Sequence, residues 1–237
     1  ENILLGSNHF RIGGYRNVSV SAGEGFSFSG TGAFSTSGNL TLRTSRISGE
    51  SGADYSITSD GVLALERLEG DTQEEASLGA NLTLQGASVL ANTDIRLPSG
   101  NLTIRATSGD LTIGGNLYAG GASKTFNTQT RFSDAGSITL EAANGDVTLT
   151  DTSVLSVAAL SGGGNAGTLS VVTPNGRFTA GGALHGQAAN GFNSGSFHLD
   201  TSSLPGSGAG SLASINGDLD AGGFNQSRGF RVRSGDV

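Results

Sequence analysis

Apolar and small polar residues alternate along most of this chain. Leucine, isoleucine, valine and phenylalanine recur two positions apart with serine or threonine between them, as at Phe26–Phe28, Leu40–Leu42 and Leu82–Leu84. A period of two residues is typical of a β-strand, in which successive side chains point to opposite faces. The pattern predicts many short strands with one apolar face, and it favours a folded chain over a disordered one.

The strands share a recurrent phrase of glycine, polar, apolar, small polar and apolar residues. The stretch SGNLTIRATSGDLTIGGNL, residues 99–117, contains this phrase twice. Further copies begin at Gly38, Ala80, Gly136, Gly145, Gly167, Gly176, Gly195, Gly217 and Gly229. Repetition of so short a unit predicts a repeat architecture.

Spacing distinguishes the architectures that such repeats form. The phrase at Leu82 recurs at Leu102, and two strand-like pieces, 89–91 and 95–97, lie between them. Three short strands in about 20 residues are typical of one coil of a parallel β-solenoid. Leu102 and Leu111 are then expected on neighbouring sides of one coil. An antiparallel β-sandwich is the alternative, but the tight Asn-Gly and Asp-Gly hairpins typical of it do not dominate the connections.

The inward side chains of such a solenoid are expected to stack from coil to coil. In the opening phrase these are Leu102, Ile104, Leu111 and Ile113. A slower repeat, at Phe126, Leu160, Phe192 and Phe224, has spacings of 34, 32 and 32 residues; it supports stacking of the coils in register and predicts longer turns with outward loops in this half of the chain. We therefore expect an all-β solenoid with about ten turns of three short strands and a few extra-helical loops, placed near residues 66–77, 119–135 and 202–210.

Composition narrows the classes of function. Forty glycines and few prolines suit a chain of strands and turns, and the absence of cysteine excludes thiolate catalysis and cysteine-ligated metals. The formal charge of −7 and the lack of a basic run argue against nucleic acid as a partner. No apolar stretch approaches the roughly 20 residues of a bilayer span, so we expect no stable membrane insertion.

The two ends of the sequence also carry an expectation. The chain begins without methionine or a signal-type segment, and 234–237 stops partway through the repeated phrase. We expect residues 1–237 to be a single segment cut from a longer protein.

Aspartates recur beside the glycine corners, at Asp110, Asp146, Asp218 and Asp236. A calcium-binding repeat is one interpretation, but its nonapeptide pattern is never matched, and Arg177 takes the aspartate's place in one copy. The other interpretation is a turn, because aspartate accepts hydrogen bonds from backbone N–H groups two residues further on. We expect the turn role.

The remaining polar features do not form a recognisable site. The acidic segment 66–75 is predicted to be a solvated loop or short helix, with partner binding as the alternative. His9, His185 and His198 lack metal-ligand spacing, although stacking could bring the last two together. Lys124 is the sole lysine available to a lyase-type mechanism. Asp218 and Asp220 lie two residues apart and are expected on one strand face. We therefore assign no catalytic, cofactor-binding or metal-binding residues and expect no cofactor.

The repeated phrases resemble a protein family. The sequences GNLTI and GDLTI, the corner IGGNLYAGG and the phrase NGDVTL are similar to the filamentous-haemagglutinin-like large exoproteins of Gram-negative bacteria, the TpsA type of two-partner secretion. The resemblance extends from about Val18 to the end of the chain. It implies a right-handed parallel β-helix, part of a rod at the cell surface, with adhesion as its usual activity.

The resemblance also implies partners and a location. Such exoproteins leave the cell through an outer-membrane β-barrel of the TpsB type and contact a host-cell or bacterial surface receptor or glycan. The secretion-domain motif of the family is approached only at 173–176, so a piece of the rod downstream of that domain is expected. A secreted, surface-associated, non-enzymatic segment is thus predicted. A carbohydrate-binding or carbohydrate-cleaving β-helix is the alternative, and outward aromatic and charged residues aligned on consecutive turns would favour it. The outward positions of the strands are mostly threonine and serine, which favours the structural segment.

Overall fold

The structure is a computed structural model that describes residues 1–70 and 77–235. The chain is nearly all β, with 53% strand and 4% helix, and its long parallel sheets form a nearly closed solenoid. The two-residue period therefore predicted the class of fold correctly.

Three parallel sheets form the sides of the solenoid, and successive strands along the chain pass from one sheet to the next. Sheet 1 contains β1 (Asn2–Leu5), β4 (Gly25–Phe28), β7 (Arg46–Gly49), β12 (Asp94–Arg96), β15 (Asn116–Tyr118), β20 (Val154–Ser156) and β22 (Ala183–His185). Sheet 2 contains β2 (His9–Ile12), β5 (Thr31–Thr36), β8 (Asp54–Ser59), β10 (Asn81–Gly86), β13 (Asn101–Ala106), β18 (Ser137–Ala142), β21 (Thr168–Ala180), β23 (Ser196–Ser203) and β24 (Ser227–Val232).

Sheet 3 completes the coils and is continuous with sheet 2. It contains β3 (Asn17–Ala22), β6 (Asn39–Thr44), β9 (Leu63–Arg67), β11 (Val89–Ala91), β14 (Leu111–Ile113), β19 (Val147–Leu149) and the second half of β21. Because β21 runs through the corner, sheets 2 and 3 join into one 15-stranded sheet. Two elements stand outside the coils: an antiparallel hairpin of β16 (Ser123–Phe126) and β17 (Gln129–Phe132), and the helix α1 (Leu212–Ala221).

The register of the sheets follows the repeated phrase. Leu82 pairs with Leu102, which pairs with Ile138, which in turn pairs with Leu169. Leu102 lies in sheet 2 and Leu111 in sheet 3, as the spacing predicted. Equivalent residues of successive coils are therefore 20 to 36 positions apart in the sequence, and their side chains lie in line.

Stacked aliphatic side chains fill the interior. Leu102, Ile104, Leu111 and Ile113 are each at most 1% exposed, which confirms the predicted inward set. Burial of each such side chain stabilises the fold by about 1.5–3 kcal/mol before entropy is counted. The core is thus one continuous column rather than a set of separate clusters.

Buried hydroxyls satisfy the carbonyl groups at the corners. The Thr173 hydroxyl donates to the Gly145 carbonyl at 2.7 Å, and the Ser59 hydroxyl donates to the Gly38 carbonyl at 2.7 Å. An unsatisfied buried carbonyl would destabilise the fold by about 1–3 kcal/mol. Serine and threonine at the ends of otherwise apolar strand faces are therefore part of the interior.

One coil departs from the predicted three strands. In sheet 1, β7 pairs directly with β12, although β10 and β11 lie between the corresponding strands in sheets 2 and 3. The described residues of that coil contribute no strand to sheet 1. The acidic segment 66–75 falls in this coil, and its residues 71–75 lie outside the described residues.

Asp94 begins β12, the strand of sheet 1 that pairs directly with β7. Its side chain is 4% exposed, and its Oδ1 lies 3.2 Å from Arg67 Nη1 and accepts from the Asn116 N–H at 3.2 Å. The Thr93 hydroxyl donates to the Thr44 carbonyl at 2.8 Å, 49 residues away. The Thr93 contact joins coils that are not consecutive in sequence, whereas Asn116 lies in the coil that follows Asp94.

The repeat copy beginning at Gly217 is not a strand. Gly217 and Asp218 lie in α1, so the predicted corner role of Asp218 and the shared strand face of Asp218 and Asp220 are wrong. Ser211 caps the helix, accepting from the Ser214 N–H, while Ile215 and Leu219 are fully buried. A helical face with two buried apolar residues four positions apart outweighed the short strand phrase.

Helix α1 is held to the last coil by Arg228. The guanidinium donates to the Phe224 carbonyl at 2.7 Å, to Asp220 at 2.6 Å and to the Asn216 side chain at 3.3 Å. Arg228 pairs in register with Phe197, which is fully buried in the apolar column. A charged side chain thus takes the inward register position where the helix meets the last coil.

The positions of the slower repeat differ in burial. Phe126 and Phe192 are 56% and 46% exposed, whereas Phe224 is fully buried and packs edge-on against Phe197 with ring centroids 6.2 Å apart. The first two lie on connections outside the coils, where the inward and outward alternation of a strand no longer applies.

Candidate functional site

The outer surface of the solenoid is mostly short and polar. Along sheet 2 the outward positions carry Asn81, Thr83, Asn101, Thr103, Ser137, Thr139, Thr168 and Ser170. Neighbouring side chains form ladders, in which the Asn101 amide donates to Asn81 at 2.9 Å and Ser137 donates to Asn101 at 2.7 Å. Such ladders stabilise the coils and leave little chemistry for a ligand.

Three consecutive connections from sheet 1 to sheet 2 interrupt this plain surface. They are residues 119–136, 157–167 and 186–195, which we call the loop stack. The first contains the β16–β17 hairpin, in which all eight strand residues are exposed. Their stacking follows from the coils themselves, because equivalent connections of a solenoid leave at the same corner.

Serine hydroxyls fix the base of the hairpin. The Ser133 N–H donates to the Ala122 carbonyl at 2.9 Å, and the Ala122 N–H donates to the Ser133 hydroxyl at 3.0 Å. The same hydroxyl lies 2.6 Å from that of Ser99 in the preceding connection. The hairpin is therefore attached to the coil before it.

An Asx ladder links the three connections. The Asp134 carboxylate accepts from the Asn165 N–H at 2.7 Å, and the Asn165 side-chain oxygen accepts from the Asn193 N–H at 2.9 Å. Each acceptor satisfies the backbone of the next connection. The loop stack is thus bonded along the solenoid axis, as the sheets are.

Glycines let two aromatic rings lie on the loop stack. Phe132 at the end of the hairpin contacts Gly162, where a side chain would collide with the ring, and Gly163 lies next to both Phe132 and Phe192. The two rings remain 40% and 46% exposed. The aromatic surface therefore includes residues from three consecutive coils.

The opposite face of the hairpin carries the positive charges. Lys124 pairs directly with Arg131 across the two strands, and Phe126 pairs with Gln129. The ammonium group of Lys124 lies 5.8 Å from the centroid of the Phe126 ring. Among the described residues, neither cation has an acidic side chain within ion-pair distance.

A second polar region lies on sheet 2 near α1. A shallow depression of about 260 Å³ is lined by Ser170, Val172, His198, Asp200, Gly229 and Arg231, together with buried neighbours. Asp200 accepts two hydrogen bonds of 2.7 Å from Arg233 and lies 3.8 Å from Arg231. The Arg233 hydrogen bonds lower the pKa of Asp200 below its ordinary value, although partial burial opposes them. The carboxylate is thus ionised and already paired, which does not suit a general acid.

The aspartates singled out from the repeat divide into three groups. Asp110 and Asp146 lie at the sheet 2–sheet 3 corner and accept from N–H groups of Asp146 and Arg177, each in the following coil. The turn role therefore holds in a different form, because the donor is a coil away rather than two residues on. Asp218 lies in α1, and Asp236 lies outside the described residues.

The other polar residues singled out from the sequence are dispersed. His9 and His198 lie on sheet 2, and His185 ends β22 in sheet 1. No group of three metal-ligating side chains occurs within 1–70 and 77–235. Residues 173–176 lie inside β21, where the strand turns the corner.

The sequence pattern did not predict the exposed aromatic rings or the pair of cations in the loop stack. The exposed rings of Phe132 and Phe192 carry no local pattern, since their neighbours are Gly162 and Gly163 of another coil. The available signal was the combination of the sole lysine, Lys124, with Phe126, Arg131 and Phe132 in a chain of charge −7.

Comparisons with known proteins do not indicate a function for the loop stack. No family model, curated protein or solved structure matches the chain. Within the described residues, no helical segment has the length and apolarity that a bilayer crossing requires. The functional argument therefore depends on the fold and the loop stack.

Proposed function

We propose that this chain is a structural and adhesive segment of a secreted bacterial surface exoprotein of the filamentous-haemagglutinin type. In this proposal the coils wind as a right-handed β-helix, and the exoprotein leaves the cell by two-partner secretion through a TpsB-type barrel. The chain itself acts without enzymatic turnover. Its partner is a receptor or glycan on a host or bacterial surface.

The loop stack is the observation that supports adhesion. A solenoid whose outer face is mostly serine, threonine and asparagine, partly joined in ladders, is a suitable rigid support, and loops on rigid supports commonly carry recognition. Here three connections are bonded to one another and expose Phe126, Phe132 and Phe192. Exposed aromatic side chains of this kind are typical of binding surfaces.

The composition is consistent with the proposed export. A chain without cysteine forms no disulfide that would have to be reduced before it crossed a membrane unfolded. Co-expression of the full exoprotein with a TpsB-type barrel should place this segment on the cell surface, within reach of added protease. Retention of the segment inside cells that contain a working barrel would contradict this route.

Adhesion is tested with the purified chain on beads. Beads carrying it should bind host or bacterial cells above the level of beads carrying albumin. A variant in which residues 123–132 are replaced by a short glycine-serine turn should bind less and keep its β-sheet circular dichroism spectrum. Equal binding by the chain and by albumin would overturn the adhesive proposal.

A carbohydrate-active solenoid is the second candidate. Aromatic and charged residues on consecutive coils, and the depression beside His198 and Asp200, favour it. A panel of polysaccharides incubated with the chain separates the candidates. Cleavage of a polysaccharide that is abolished by His198→Ala or Asp200→Asn would establish an enzyme. Binding of a polysaccharide without cleavage agrees with an adhesin.

A further inference from the structure

The β16–β17 hairpin presents two cations at the closest spacing that a β-sheet allows. Directly opposed side chains of an antiparallel pair have Cβ atoms about 4.5–5.5 Å apart, and like charges in that position are destabilising. Lys124 and Arg131 are such a pair. Neither side chain has an acidic partner within ion-pair distance among the described residues, so the pair leaves two positive charges for an acidic ligand to neutralise.

The two faces of the hairpin have different roles. Phe132 packs against Gly162, and the hydroxyls of Thr125 and Thr130 contact each other at 3.0 Å on that same face. Alternation places Lys124, Phe126, Gln129 and Arg131 on the opposite face. The hairpin is therefore anchored through one face and presents the other, which we call the basic face, to solvent.

The basic face combines charge with an exposed ring. Phe126 is 56% exposed and lies 5.8 Å from the Lys124 ammonium. A flat ring beside cations suits a sugar ring that bears an acidic group, since its apolar face stacks on the aromatic ring while the acid meets the cations. Gln129, opposite Phe126, adds an amide that hydrogen-bonds hydroxyl groups.

We propose that the basic face binds an acidic polysaccharide, with Lys124 and Arg131 pairing to acidic groups on neighbouring sugars and Phe126 stacking on a sugar ring. The proposal rests on the proposed adhesive function and specifies its ligand. The acidic groups are carboxylates of a polyuronate or sulfates of a sulfated glycan, which share the required charge and spacing. The net charge of −7 disfavours general attraction of such polymers, so binding must be local to the hairpin.

Binding is measured by biolayer interferometry with immobilised chain and four polymers: polygalacturonate, dextran sulfate, neutral dextran and poly-L-glutamate. Polygalacturonate and dextran sulfate should both bind, and their relative affinities show whether the basic face prefers carboxylate or sulfate. Neutral dextran should not bind. The double variant Lys124→Ala/Arg131→Ala should lose at least about tenfold in affinity, and Phe126→Ala about fivefold. Added salt should weaken binding by the unmodified chain.

A matched variant removes the same charge elsewhere. Arg11→Ala/Arg16→Ala, at the first coil, should change the affinity by less than about twofold if binding is local. Equal losses in both double variants, or no loss in either, would overturn the assignment. Poly-L-glutamate bound as tightly as the acidic glycans, with no effect of Phe126→Ala, would overturn the polysaccharide and indicate an acidic peptide instead. Circular dichroism spectra check that every variant is folded.

The bead assay separates binding by the basic face from the proposed adhesive function. Cell adhesion that survives Lys124→Ala/Arg131→Ala would leave the adhesive function intact and remove the hairpin as its site. Polyuronate binding by a chain that adheres to no cell would support the basic face and contradict the adhesive function.

Discussion

The Oδ1 atom of Asp110 accepts a hydrogen bond from the backbone N–H of Asp146, 2.9 Å away and 36 residues further along the chain. Asp146 repeats the contact with the N–H of Arg177 at 2.7 Å. Each carboxylate therefore fixes the corner of the following coil, where a glycine must also approach the coil before it closely. The repeated Gly-Asp pair specifies how coils are stacked as well as where they turn.

Replacement of Asp110 by alanine should destabilise the protein by about 1 kcal/mol, because the Asp146 N–H loses a charged acceptor at an exposed corner. Urea denaturation followed by far-UV circular dichroism measures the change. Asp60 is the control, since its carboxylate makes no hydrogen bond within the described residues, and Asp60→Ala should leave the midpoint almost unchanged. An equal loss in both variants would show that the coil-to-coil bond is not what matters.

Truncation of the inner column should be much more costly. Leu111 is fully buried, so Leu111→Ala should lower the free energy of unfolding by about 2–5 kcal/mol through lost burial and a residual cavity. Leu90, on the adjacent strand of the same sheet, is 37% exposed, and Leu90→Ala should lose less than about 1 kcal/mol. Comparable losses at both sites would contradict the assignment of inward and outward positions.

Asp200 should make the stability of the last coil dependent on pH. Its pKa is lowered chiefly by the Arg233 hydrogen bonds, so its contribution to stability is complete above the ordinary carboxyl pKa of about 3.9 and is lost as the pH falls through the lower folded value. In Arg233→Gln the pKa of Asp200 should rise. The difference in unfolding free energy between the two proteins should be constant near neutral pH and shrink below about pH 4.

The Asp200 titration is followed by NMR of its carboxyl carbon. Arg231→Gln provides the control, because Arg231 lies 3.8 Å from Asp200 and is 69% exposed. It should shift the titration less than Arg233→Gln does. A larger shift in Arg231→Gln would mean that the general positive field, rather than the hydrogen bonds, determines the pKa.

Arg228 should control whether α1 stays in place. Arg228→Ala removes the donors to Phe224, Asn216 and Asp220, and it should destabilise the helix by about 2 kcal/mol. Hydrogen exchange should then become faster at residues 212–224 while the strands of sheet 3 keep their protection. Arg177→Ala is the control, because the Arg177 side chain is exposed and makes no hydrogen bond or ion pair within the described residues. Uniformly faster exchange would indicate that the helix and coils unfold together.

Much of the solenoid was predictable because the same local rule is repeated in it. The pairing of Leu82 with Leu102 follows from a phrase that each coil carries in its own sequence. The rule fails where a distant contact decides the structure. Gly217 and Asp218 match the strand phrase, yet the burial of Ile215 and Leu219 makes that stretch a helix. The four-residue spacing of those two residues and the serine cap were signals that the repeat obscured.

The candidate site was less predictable than the fold. The loop near 119–135 was expected from the interrupted repeat, but the contact of Phe132 with Gly162 joins residues of different coils. Similarly, the opposition of Lys124 and Arg131 depends on the register of a hairpin that no turn motif specifies, since Asn127 takes a positive φ without a glycine beside it. Contacts across coils and exact hairpin registers lie beyond a single-sequence pattern.

The direct pairing of β7 with β12 has a geometric consequence. At that level sheet 1 rises by one strand spacing, about 4.8 Å, while sheets 2 and 3 rise by two. The side formed by sheet 1 is therefore shorter here by one strand spacing, about 4.8 Å, which is the geometry of a wedge. Direct pairing of β7 with β12 therefore favours a bend between the first three coils, β1 to β9, and the later coils that carry the loop stack.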